Sequence, residues 1–136
     1  MERRGFEELE HTADIAVRVW GPTLADLFAN AAYAMACQLT DVDVVRLTTQ
    51  VEVELEADDV ELLLVGWLSE LLYLGERDDA VFVQFDIHEL TARALSATAR
   101  GGRNVERGAH IKAVTFSELE VQQRESRYET HIVFDV

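Results

Sequence analysis

Gln50-Val51-Glu52-Val53-Glu54-Leu55-Glu56-Ala57, running straight into Asp58-Asp59-Val60-Glu61-Leu62-Leu63-Leu64-Val65-Gly66-Trp67-Leu68-Ser69-Glu70-Leu71-Leu72-Tyr73-Leu74, is the stretch whose period decides the fold. In its first half Val51, Val53, Leu55 and Ala57 alternate strictly with Gln50, Glu52, Glu54 and Glu56, the pattern of a strand buried on one side and wet on the other. The pattern then changes. Asp58 to Glu61 supply acidic capping groups for a helix start, and Leu62, Leu63, Leu64, Trp67, Leu68, Leu71, Leu72 and Leu74 cover more than one face. That predicts a central buried helix, with Gly75 to Asp79 as the turn after it.

Toward the N-terminus, Gly5 to Glu10 reads as extended, and Ile15 to Trp20 alternates until Gly21-Pro22 stops it. Thr23 is placed to N-cap a helix with Asp26 in its third position, and Leu24, Leu27, Phe28, Ala31, Ala32 and Met35 share one face as far as about Gln38. Thr40-Asp41-Val42-Asp43 follows as a polar turn. Toward the C-terminus, Val81, Val83, Phe85 and Ile87 open a run of strands through Leu90 to Ala99, His110 to Val121 and Tyr128 to Asp135. Gly101-Gly102 and Gly108 mark a loop between two of them. Strand, helix, strand, helix and then several strands is the order of an α+β fold: two helices packed on one face of a largely antiparallel sheet, one layer on another. At 136 residues the chain is long enough for one core and too short for two, so residues 1–136 are expected to form a single domain.

The apolar share of 49% points to an ordered globule rather than an acidic disordered tail. The longest apolar run, around Leu62 to Trp67, is broken by Glu61, Ser69 and Glu70 well short of a bilayer span, and the N-terminus lacks a signal-peptide core. A cytoplasmic protein with no membrane association is expected. Cys37 is the only cysteine, which excludes an internal disulfide and a thiolate zinc site, and its place on an apolar helical face predicts a buried, inert thiol. Twenty-six acidic residues against twelve basic ones leave a net charge of −14. Such a field repels a phosphate backbone and attracts a basic protein or a divalent cation, so direct nucleic-acid binding is not expected. Solubility accounts equally well for the bulk of these charges.

The chain holds no Gly-rich phosphate loop, nucleophile elbow or zinc motif. His11, His88, His110 and His131 share no i, i+4 spacing and read as surface or turn residues, with His11 set apart by lying in the same stretch as Asp14. If the first and last strands are neighbours, Asp14, Asp135 and the carboxylate of Val136 converge as hard oxygen donors for calcium, magnesium or manganese. Three carboxylates furnish at most about six oxygens, leaving positions for water or a partner's group. On spacing alone the plainer reading, two solvated strand-end aspartates, takes precedence.

Five strings in order carry a resemblance: His11-Thr12-Ala13-Asp14-Ile15; the Gly21 to Met35 helix with Leu-Phe-Ala-Asn-Ala-Ala at its centre; Leu62-Leu63 through Leu71-Leu72-Tyr73; Ile111-Lys112-Ala113-Val114-Thr115-Phe116; and Phe134-Asp135-Val136. Together they resemble the archease family from end to end. The resemblance implies an accessory protein, not itself an enzyme, that activates an RtcB-type RNA ligase by promoting its guanylylation and multiple turnover in tRNA splicing or RNA repair. It implies that Asp14, Asp135 and Val136 are metal ligands, usually for calcium, and that Lys112, the chain's single lysine, is a functional residue beside them. Asp41 and Asp43 lie in a turn that is often acidic in the family. The chain departs from the family pattern at Ser117, where a histidine is common, and at Gly101-Gly102, where Gly-Glu is common. Two other functions stand beside this one: a chaperone or specificity modulator of a tRNA-modifying methyltransferase, and a stand-alone metal-dependent hydrolase using the same carboxylates to activate water.

Overall fold

The computed structural model of the chain describes residues 5–9, 14–116 and 119–136. Strand β1 (Phe6–Leu9) pairs antiparallel with β2 (Ile15–Gly21), and helix α1 (Leu24–Leu39) runs back along them. A 3-10 turn at Val42–Val44 leads to β3 (Thr49–Glu56), then helix α2 (Val60–Asp78), β4 (Ala80–Leu90) and β5 (Ala94–Arg103). Three strands complete the chain: β6 (Ala113–Thr115), β7 (Gln122–Arg124) and β8 (Arg127–Asp135).

The α+β expectation holds, with both helices packed against antiparallel strands, and those strands divide into two sheets. One follows the order β1-β2-β8-β6 with β7 also on β8, and the other the order β3-β5-β4. Period-two alternation sets their inner faces. Val17 and Val19 of β2, Val53 of β3 and Ile132 and Phe134 of β8 are buried, while Arg18, Glu52, Glu54 and His131 alternate with them away from the core. α1 lays Leu27, Phe28, Ala31, Ala32 and Met35 on the same core, the face its sequence period predicts.

Both helix starts follow from their caps. The Thr23 hydroxyl accepts the Asp26 N–H at 3.1 Å, and the Asp59 carboxylate accepts the Leu62 N–H at 2.8 Å. α2 is the central helix. Trp67 is fully buried and its indole N–H donates to the Phe28 carbonyl of α1 at 3.0 Å, tying the two helices together. Leu62 and Tyr73 face solvent on the side α2 leaves uncovered.

Three predicted boundaries are corrected. Gly75 to Asp78 is the last turn of α2 rather than a connecting loop, because Gly75 is buried against the Ala80 carbonyl and the helix stops only where Asp79 takes a left-handed conformation, φ 50°. Gly101 and Gly102 belong to β5, not to a loop. A Cβ at Gly101 would overlap the Val81 carbonyl of β4, and one at Gly102 the Arg46 carbonyl of the segment following the 3-10 turn, so both positions need glycine for close approach. Among the described residues of the strand expected from His110 to Val121, Ala113–Thr115 is the part that pairs. Residues 104–111 instead form a strap across the end of α1. Cys37 is half-buried against the core rather than fully enclosed.

Candidate functional site

The pairing of β2 with β8 decides whether the predicted ligands meet. Ile15, the first residue of β2, lies opposite Phe134, and Asp14 and Asp135 are the residues that adjoin this last pair on the two strands. Successive residues of a strand project from opposite faces, and the pair Ile15 and Phe134 packs on the core. On the other side of β8, Ala113 of β6 lies opposite Asp135, and the Lys112 N–H donates to the Asp135 carbonyl at 2.7 Å. One more step along that register brings Lys112 beside Val136. The centre of the corner is therefore the end of β8, flanked by Asp14 from one neighbour and Lys112 from the other. Asp135, Val136 and Lys112 are exposed and Asp14 is partly so.

Two carboxylates brought near each other at adjoining strand ends repel, and hard oxygens in such a position suit a divalent cation of the calcium, magnesium or manganese type. The donor set is short. Among the described residues no three His, Cys, Asp or Glu side chains gather around one point, so Asp14 and Asp135 would bind an ion together with oxygen from Val136 and from solvent or a partner.

The remaining sequence candidates sit elsewhere. His11 and Ser117 lie outside the described residues. Asp41 uses its carboxylate to accept the Asp43 N–H at 3.2 Å, capping the 3-10 turn, and both aspartates follow the C-terminal end of α1. His110 is exposed on the strap, and His131 is exposed in mid-β8 opposite Arg18.

Sequence reasoning missed a polar row across the outer face of the three-stranded sheet. The Thr98 hydroxyl of β5 donates to Glu52 of β3, with the carboxylate oxygens at 2.6 and 2.7 Å, and its oxygen lies 2.7 Å from His88 Nε2 of β4. Because the hydroxyl's one proton goes to Glu52, His88 must be the donor of that last bond. Each member looks like an ordinary wet-face residue in its own strand, so only the cross-strand register reveals the row. A second such feature is Trp20 of β2, whose ring has the Arg18 and Arg127 guanidinium carbons 5.2 and 5.3 Å from its centroid.

With this geometry in place, the comparisons with known proteins agree with one another. The sequence model of the Archease protein family matches residues 6–136. A protein archease of Methanosarcina mazei is 38% identical over 96% of this chain and 95% of its own length. The protein archease of Methanopyrus kandleri is 35% identical over 96% of this chain and 99% of its own. The solution structure of Methanobacterium thermoautotrophicum protein 1598 superposes with a TM-score of 0.80 at 31% identity, covering 98% of this chain and 99% of that one. A crystal structure from Thermotoga maritima, described as an archease and possible chaperone, matches at TM-score 0.70 and 23% identity over 96% of both chains, which speaks to the fold. A family match over nearly the whole chain, together with relatives above 30% identity at full coverage, leaves one conclusion: this chain belongs to the archease family.

Proposed function

We propose that this protein is an accessory factor that activates an RtcB-type RNA-splicing ligase, and that the Asp14–Asp135 corner, with a divalent cation, is the part that engages the ligase. The observation that supports this reading is the pairing of β2 and β6 on either side of β8, which leaves Asp14, just before β2, and Lys112, just before β6, near the end of the strand that carries Asp135 and Val136. Calcium is the ion favoured by the family resemblance, and magnesium and manganese suit the same oxygens. When bound, the ion neutralises the two aspartates and offers open coordination positions to a partner. Asp14 and Asp135 supply the negative oxygens. Lys112 supplies a cationic side chain near the end of β8, suited to offset phosphate charge as a nucleotide is transferred to the ligase. The net charge of −14 fits a division of labour in which the ligase holds the RNA and its activator, a cytoplasmic protein, does not touch it.

The test is a ligase guanylylation assay with folded Asp14→Ala, Asp135→Ala and Lys112→Ala. Each is expected to lose most of the stimulation, on the order of tenfold or more, as when a group acting on developing charge is removed. Unaltered stimulation by all three sinks the proposal. A chaperone or specificity role toward a tRNA methyltransferase is the second reading. It draws on the description of the Thermotoga relative and on the exposed Val44, Leu47 and Phe116, apolar side chains available to a client. Pull-down from native extract separates the two by recovering the ligase or the methyltransferase. A stand-alone metal-dependent hydrolase, using the same carboxylates to activate water, is the third reading, and phosphoester turnover by the purified protein that is lost with Asp14→Ala would favour it.

A further inference from the structure

We infer that Thr40 is a positioning residue for Lys112, acting through the strap of residues 104–111; the inference rests on the role proposed for Lys112. After β5 the chain turns at Asn104, φ 55°, and crosses the C-terminal end of α1 without joining a strand until it reaches β6. A helix leaves its last carbonyls without intrahelical partners. Here the strap supplies the donors: Gly108 N–H to the Leu39 carbonyl at 2.7 Å and Ala109 N–H to the Gln38 carbonyl at 3.0 Å. The exchange is reciprocal, because the Thr40 hydroxyl donates to the Glu106 carbonyl at 2.6 Å. Three hydrogen bonds thus clasp Glu106, Gly108 and Ala109 of the strap to the end of α1. Just beyond, Ile111 is buried and the Lys112 N–H enters the ladder at Asp135.

Packing holds this segment at its far end, where Ile111 is buried in the core, and less so before it. A cavity of about 190 Å³ lies beneath it, walled by Met35 and Leu39 of α1, Leu71 of α2 and Phe82 and Phe85 of β4, with Arg107 and His110 of the strap on its far side. Where apolar contact is missing the polar clasp must fix the path of the chain. Of its three bonds two are made by backbone alone, so Thr40 is the side chain through which α1 takes part in the clasp, beside the longer bonds from Arg107 to Asp79 and the Ala80 carbonyl at 3.4 and 3.5 Å. Thr40 is 7% exposed and reaches across the fold to a segment far away in sequence, which is more than capping its own helix requires.

The single lysine makes the test clean. Labelling with [15N]lysine gives one backbone amide resonance, that of Lys112. Thr40→Val keeps the shape and removes the donor, and Thr40→Ser keeps the donor. Lys112 amide exchange is expected to be about tenfold faster in Thr40→Val and near wild type in Thr40→Ser, while [15N]tryptophan reports unchanged exchange at Trp67 in the core. Acceleration of Lys112 and Trp67 together, or of neither, overturns the inference. A guanylylation assay then closes a cycle with Lys112→Ala. Thr40→Val is expected to reduce stimulation when Lys112 is present and to change nothing further when it is alanine; an equal loss in both backgrounds overturns the positioning role. Full stimulation by Lys112→Ala removes the functional reading and the positioning role with it, while the exchange data report separately whether the clasp holds the strap.

Discussion

Asp14 and Asp135 show what one residue of register does. Had β2 slipped by a single position against β8, Ile15 would no longer lie opposite Phe134 and the buried valines of β2 would turn to solvent. Since like charges on neighbouring strands cost roughly 0.2–1 kcal/mol, Asp135→Asn is expected to raise the metal-free unfolding temperature slightly and to weaken calcium binding. Calorimetry and thermal melts with and without calcium measure both, and the stabilisation calcium gives the wild type should be largely absent from the variant. A variant that binds calcium as tightly as the wild type removes Asp135 from the site. Sequence singled out the residues of this corner but left their meeting conditional, because nothing in the spacing of two distant aspartates encodes which strands are neighbours. Acid behaviour is local elsewhere. Arg77 holds Asp78 by two hydrogen bonds of 2.9 and 3.0 Å, which keeps that carboxyl below the ordinary aspartate range. The interaction is therefore complete at neutral pH and is lost only as pH falls through that lowered value. In a carboxyl NMR titration Arg77→Ala should return Asp78 to the ordinary midpoint.

Elements with a strong local signal were legible and those held by tertiary contact were not. Both helices start where Thr23 and Asp59 cap them, and Asp59→Ala is expected to cost about 1 kcal/mol in denaturant melts. Alternation gave β2 and β3 nearly to the residue. The failures lie at glycines and in the strap. Gly101-Gly102 carries a turn signal yet sits inside β5, because carbonyls from β4 and from Arg46 occupy the space a side chain would need. The departure from the family's Gly-Glu thus has a packing cause in this chain. Gly102→Glu should destabilise by about 1–3 kcal/mol, through the backbone shift required near Arg46, with no need to invoke a lost function. The strap falls in the predicted loop around Gly108 and reaches the predicted strand only at His110 and Ile111, and its path is set by helix-end carbonyls that no periodicity announces.

Across the whole molecule, stability rests on a core that both sheets share and on the tolerance of a large negative charge. Trp67 joins the helices at its centre, and Trp67→Ala is expected to cost about 3–5 kcal/mol, enough to unfold a marginal domain. Self-repulsion from −14 charges should make the fold more stable in 0.5 M than in 0.01 M salt by thermal melt, since the Debye length shrinks severalfold over that range.

The two sheets also differ in how the chain reaches them. β3, α2, β4 and β5 are consecutive, so the three-stranded sheet and its helix can assemble from one uninterrupted segment as it leaves the ribosome. β1 and β2 have no such neighbour; they wait for β8, made after everything else in the sheet. The end of β8 consequently takes its place only after every other strand of its sheet has been made, so the sheet closes on its last strand rather than its first.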